Sequence, residues 1–411
     1  MPYVADLHTH SRYARATGST LTLPNLAAFA KRKGIDLLAT GDLLHPRWQT
    51  ELRAGLEETA GGLYQHYGVR FVLGGEVNCA FRTDSRGHQV HLLLFVPDFA
   101  ALDRLTAALA KYGDLAADGR PTLQLAADDC VREVLQADPR GFVIPAHAWT
   151  PWFGVYGAIS GFDTITECFP TTWDDIFAVE TGLSSDPGMN WRVPELDGKG
   201  IVSFSDAHSL ARLGREATLL NGEMTYDGMR AALAGPGIAG TIEFYPEEGR
   251  YHFSGHRAHG LRLPPGEAAL LHNRCPVCKR RLTVGVLDRV EQLALRPDSV
   301  ERREDGWYVN RADPARPPYR LLMPLNEILA EAFGVKTAAK RVERAADALI
   351  AAFGSELTAL LNVSESELAT VAGERVAEGI ARVRRGEITI DPGYDGEYGV
   401  VHIWPETPHE E

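Results

Sequence analysis

Histidines and carboxylates recur in this chain where short apolar runs end. Asp6-Leu7-His8-Thr9-His10, Gly41-Asp42 with His45, Glu76, His91, His147 and Asp206-Ala207-His208 follow or close the runs YVADLH, IDLLATGD, VRFVLGGE, QVHLLLF, GFVIPAH and IVSFSDAH. One histidine after a strand is ordinarily a satisfied core or loop residue. Six polar stations at six strand ends, all built from metal-ligand chemistry, point elsewhere. His8 and His10 lie two apart, so on a strand they share a face, as two imidazoles gripping one ion must. Asp206 and His208 repeat that spacing, and Glu76 has two oxygens with which to bridge two ions. Neutral imidazole with carboxylate suits Zn²⁺, Mn²⁺ or Fe²⁺ better than Ca²⁺. Two ions about 3.5–4 Å apart acidify a bridging water and clamp the attacking and leaving oxygens of a phosphodiester. The expectation is a hydrolytic centre of two to three divalent ions (Zn, Mn, Fe or Mg), with Asp206, Glu76 and His8 as its catalytic residues.

Such a site needs strands whose ends converge. From residue 3 to about 235 strand-like and helical runs alternate; LPNLAAFAKRKG, WQTELRAGLEETAGGLYQHYG, LDRLTAALAKYG and DDCVREVLQAD have helical spacing. With FAVETGL at 177–183 the strand count reaches seven, which implies a barrel-like α/β domain, mostly parallel, over 1–235. A Cys/His-bearing module over 236–300 and a helical region over 301–411 follow, the last containing a helix from about Glu365 to Arg385.

At 411 residues the chain exceeds one ordinary core. Its 45% hydrophobic and 24% charged residues are those of a globular protein, and no stretch reaches the roughly 18–20 apolar residues of a membrane span. MPYVADLHTH has neither a basic nor an apolar leader region, so the expected compartment is the cytoplasm. Five cysteines are too few and scattered for a disulfide scaffold, and a net charge of −13 argues against a nonspecific nucleic-acid coat.

The runs DLHTH, GDLLH, GGE, VHLLLF, PAH and SDAH resemble the successive motifs of the PHP (polymerase and histidinol phosphatase) superfamily, whose fold is a distorted seven-unit barrel. That resemblance implies one ion on His8, His10, Glu76 and Asp206 and a second on Glu76, His91 and His147. A third would take Asp42, His45 and His208, but Leu43 stands where many members have histidine, and Tyr13, Ala14 and Arg15 stand where a further ligand is common. SRYARATG, PAHAWTPWFGVYG, VETGLSSDPGMNWRV, SFSDAHSLARLGREAT, CPVCKRRLTVGVLDRVEQLA and DPGYDGEYG narrow the likeness further: in this order they resemble the endonuclease Q group. The resemblance implies a repair endonuclease that nicks DNA 5′ to deaminated bases (uracil, hypoxanthine, xanthine) and abasic sites. The alternatives are a small-molecule phosphatase of the histidinol-phosphate type and a non-catalytic DNA-binding scaffold.

An enzyme that senses one altered base takes it out of the stack into a pocket. The expected walls are Trp149 and Trp152, with Ser184, Ser185 and Arg192 on a second loop; Arg12 with Tyr13, and Arg212 with Arg215, flank the first and last stations as phosphate contacts. Cys275-x2-Cys278 is half of a structural zinc site, which His256 and His259 would complete. Lys336 and Lys340 mark a DNA-clamping helical region, where LLNVSESELATVAGERVAEGIARV resembles a helix-hairpin-helix element. The expected partner is duplex DNA, with a sliding clamp as a further candidate, and the expected state is a monomer.

Overall fold

The computed structural model describes residues 2–83 and 86–404. Seven strands carry or adjoin the stations: β1 (Tyr3–Asp6), β2 (Leu37–Ala39), β3 (Val69–Arg82), β4 (Gly87–Val96), β5 (Phe142–Pro145), β6 (Ala178–Glu180) and β7 (Gly200–Val202). Ladders join β1–β2–β3–β4–β5, and separately β6–β7. The arcs meet where Ala148 N–H donates to the Glu180 carbonyl, and again at the Thr9–Ala207 bridge. The seven strands therefore follow one circuit, and their inward residues (Ala5, Leu37, Val72, Leu93, Ile144, Ala178, Val202) form a buried core.

Parallel order fails at one strand. β4 runs antiparallel to both β3 and β5. Only residues 83–86 separate β3 from β4, and so short a link can join only antiparallel neighbours. Two stations consequently do not end strands: Glu76 lies midway along the 14-residue β3, and His91 lies inside β4. Because β4 is reversed, its early residues still reach the rim where the other strands end.

Helices α1 (Leu23–Lys33), α2 (Pro46–Gly55), α3 (Phe99–Leu109) and α4 (Ala127–Ala137) fall on four of the expected runs. The second run is helical only as far as Gly55. Beyond it, Gly61 and Gly62 take positive φ in a turn, and Tyr64–His66 pairs with Val69–Phe71 instead.

The boundary expected at 235 falls one strand early. Ile238–Glu243 pairs antiparallel with Ala217–Leu220, which itself pairs with β1, and Tyr319–Leu321 adds parallel to its far edge. The helices Leu325–Phe333, Lys340–Phe353, Glu356–Leu361, Glu365–Ala372 and Glu374–Arg385 enclose a second core that includes Ile242 and Tyr245. The expected Glu365–Arg385 helix is thus two, broken at Gly373, where φ is 90° and ψ 158°. The tail leaves this region: Tyr394 bridges Phe253 in the Cys/His module. No helix among the described residues is long and apolar enough to cross a membrane.

Candidate metal centre

One ligand atom from each of His8, His10, Glu76 and Asp206 falls in a group whose members all lie within 4.8 Å of one another, and Glu76, His91 and His147 form a second such group. Glu76 divides its oxygens between them. Its Oε2 lies 3.3 Å from His8 Nε2 and 3.4 Å from His10 Nε2, while its Oε1 lies 2.6 Å from His91 Nδ1 and 3.0 Å from His147 Nε2. Asp206 Oδ1 closes the first group at 3.4 Å from His8 Nε2 and 3.1 Å from His10 Nε2.

The backbone aims these groups at some cost. Asp42, His147 and Asp206 have φ of 44°, 31° and 45°, in the left-handed region that non-glycine residues seldom enter. Such conformations cost of order 1–3 kcal/mol each and persist where the surroundings enforce them. At His147 the close approach is made possible by Gly182, where any Cβ would fall 2.3 Å from the His147 Cβ.

Buried carboxylates orient the imidazoles from behind. His8 Nδ1–H donates to Glu180 at 3.0 Å, and Glu180 also accepts the His147 backbone N–H at 2.7 Å, so one side chain steadies a histidine of each group. His10 Nδ1–H donates to Asp42 Oδ1 at 3.0 Å. The other Asp42 oxygen accepts Ser11 N–H at 2.7 Å and Ser11 Oγ–H at 2.5 Å. Asp42 therefore stands behind His10 and outside both groups. His45 stacks on Tyr13 at 4.4 Å and joins neither group; His208 donates from Nδ1 to the Asp206 carbonyl at 3.0 Å.

Burial alone would raise the Glu76 carboxyl, but His91, Arg120 and His8 outweigh it and hold it well below the usual range; burial is likewise overcome at Asp206 by His8 and His10. Burial disfavours charge on His8 and His10 too, yet the surrounding carboxylates raise both well above an ordinary histidine. His8 Nε2 is buried with no hydrogen-bond partner and faces the carboxylates. A divalent ion fits that donor set: imidazole nitrogens with outer carboxylates behind them, converging on shared carboxylate oxygens.

A second cluster unites His256, His259, Cys275 and Cys278, with Cys275 Sγ 3.5 Å from His259 Nδ1. Asp395 of the returning tail lies 3.5 Å from His256 Nδ1. Two thiols and two imidazoles are a donor set suited to tetrahedral zinc.

The expected DNA contacts separate. Trp149 is a core residue, its Nε1–H donating to Asn190 at 2.9 Å, and Ser185 is buried, donating to the Thr181 carbonyl at 2.9 Å. Neither can wall an open pocket. Trp152 is half-buried against Tyr251, and Ser184 is half-buried beside Gly249. Arg192 pairs with Glu291 at 2.6 Å, and Arg12 and Tyr13 both donate to Glu51. Arg215 donates from Nε to the Ser205 carbonyl at 2.9 Å, beside Asp206. With Arg212, Phe244, Leu183 and Tyr398 it lines a cavity of about 550 Å³ between barrel, helices and tail. Lys336 and Lys340 are exposed.

Two site residues escaped the sequence reading. Glu180 ends the one of the seven strands that carries no station, so the strand-end rule itself points to it. Arg120, whose Nη1–H donates to Glu76 Oε2 at 3.1 Å, lies in a loop that no motif marks.

Fold and site together define a mixed α/β protein with a buried two-group His/carboxylate centre at one rim of its strand circuit. The crystal structure of the lesion-specific endonuclease PfuEndoQ from Pyrococcus furiosus matches 99% of this chain and 96% of its own, with TM-score 0.84 and 31% identity. A structure of Endonuclease Q with a 27-mer duplex substrate, an abasic lesion at its active site, matches with the same score and identity over 99% of this chain and 97% of its own. The uncharacterized protein YqxK of Bacillus subtilis is 30% identical over 97% of this chain and 98% of its own length. Residues 324–387 match the MJ0043 C-terminal domain family. The chain belongs to the endonuclease Q family.

Proposed function

We propose that this chain is a metal-dependent DNA repair endonuclease that hydrolyses the phosphodiester bond 5′ to a deaminated base (uracil, hypoxanthine or xanthine) or an abasic site. The observation that carries this reading is the match, across 99% of the chain, to an Endonuclease Q structure holding duplex DNA with an abasic lesion at its active site. His8, His10, Glu76 and Asp206 would hold one ion and Glu76, His91 and His147 another; His256, His259, Cys275 and Cys278 would hold a structural zinc. Ions bound in the barrel supply Lewis acidity toward the phosphate and an acidified water. The protein supplies the rest. Glu180 and Asp42 fix the ring planes of His8 and His10. Asp206, accessible where Glu76 is not, stands where it can accept a hydrogen bond from the attacking water and orient it. An extrahelical base needs a recess beside the reacting phosphate, and the cavity of Arg212, Arg215 and Phe244, reaching the Asp206 carbonyl through Arg215, would serve as one. The small module and the exposed Lys336 and Lys340 would grip the flanking duplex.

Asp206→Asn tests the assignment. Nicking of a uracil-containing duplex should fall at least about 100-fold, while affinity for the same duplex stays within about threefold. Equal loss of both would make Asp206 a structural residue and remove the proposed chemistry from this site.

A further inference from the structure

The loop spanning residues 113–121 lies across the ground where a third ion was expected. Gly119 N–H donates to the Tyr13 carbonyl at 2.9 Å, and a Cβ on Gly119 would fall 2.3 Å from the Asp42 carboxyl carbon. Asp118 accepts the backbone N–H groups of Arg15 and Arg120 at 3.0 and 3.2 Å, which locks the loop to the first motif. Both Asp42 oxygens are already engaged by His10 and Ser11. What the loop delivers is Arg120. Among the described residues, it is the one guanidinium that hydrogen-bonds a side chain of the cluster.

We propose that Arg120 is a catalytic residue that takes the place of a third ion, its guanidinium holding a non-bridging oxygen of the scissile phosphate. This rests on the endonuclease reading above. Of the five N–H donors of a guanidinium, one is hydrogen-bonded among the described residues, to Glu76, and the side chain is about one quarter exposed at the mouth of the cluster. Of the other rim arginines, Arg12 pairs with Glu51, Arg15 with Asp118 and Arg192 with Glu291, while Arg212 and Arg215 line the separate cavity. A planar fork matches two phosphate oxygens as a compact ammonium cannot. In the reaction the water oxygen bonds to phosphorus, the bond from phosphorus to one sugar oxygen breaks, and that oxygen leaves as a hydroxyl with a proton from the water. Negative charge gathers on the phosphate oxygens in between, and a cation already aimed there lowers the barrier.

The test uses the metal-loaded full chain and a duplex carrying one abasic site. Arg120→Ala should keep the wild-type metal content by mass spectrometry and bind undamaged duplex within about threefold. Its single-turnover nicking should fall about 100- to 1,000-fold, and guanidinium at about 50 mM should restore at least about tenfold. Arg120→Lys, the milder variant should alanine compromise folding, should keep its ions and lose about 10-fold or more, because it retains the charge and loses the fork. Nicking by either variant within threefold of wild type, loss of ions, or no rescue of the alanine variant would overturn the assignment. Failure of the wild-type chain to nick would instead sink the endonuclease reading itself.

Discussion

Glu180 shows how closely the centre depends on residues that are not ligands. Its carboxylate takes the His8 Nδ1 proton with one oxygen and the His147 backbone N–H with the other, so both groups lose alignment if it changes. Glu180→Gln should weaken metal affinity about 10- to 100-fold in competition with a chelating dye. Unchanged affinity would mean that His8 is oriented by packing alone. The residues of the two groups are legible because His8 and His10, two apart, share one face of a strand and because His and carboxylate recur at several such stations. Asp42 is legible by type but not by its contacts, since nothing in GDLLH says that Ser11 and His10 will claim both of its oxygens. Arg120 was illegible, because its relation to Glu76 spans 44 residues and exists only once the loop has folded across the rim.

Among the elements, the β3–β4 hairpin teaches the same lesson about period and length. An unbroken apolar run marks a doubly buried strand, but it does not reveal where that strand stops, and Glu76 therefore reads as a strand end when β3 continues six residues beyond it. The Cys/His module was legible as a ligand set, whereas its dependence on the tail through Asp395 was not. Cys275→Ser should remove one ion per chain by mass spectrometry and leave the barrel content intact; an unchanged total would refute the assigned site. In the helical region Lys336 and Lys340 lie exposed at one helix-to-helix connection. If both meet phosphates, replacing both by alanine should flatten the slope of log Kd against log salt by about 2. An unaltered slope would place the DNA elsewhere.

For the whole molecule, the joins are acidic and buried. Lys33 of α1 pairs with Glu356 at 2.8 Å, tying the helical region to the barrel. Beneath the centre, burial raises Glu216 well above the usual carboxyl range and pushes Glu243 up to about 8, against hydrogen bonds from Ser203, Thr241 and Thr181. A carboxyl raised by folding from its ordinary 4.5 stabilises fully below that value, and the contribution is lost as pH rises through the folded value near 8. Wild-type Tm should therefore drop by about 3 °C or more between pH 7 and 9, and Glu243→Gln should show a smaller drop. Equal drops would mean that this pair does not set the alkaline limit. Domain boundaries were the least legible feature, because they rest on long-range pairing: Ile238–Glu243 returns to the barrel sheet and the tail returns to the small module.

The most direct test is to map the nick. The metal-loaded chain is incubated with duplexes carrying a single uracil, hypoxanthine or abasic site, and the product ends are located to the nucleotide. A metal-dependent cut on the 5′ side of the lesion, absent from the undamaged duplex, is the expected result. Intact duplexes beside rapid turnover of small phosphate esters would contradict it.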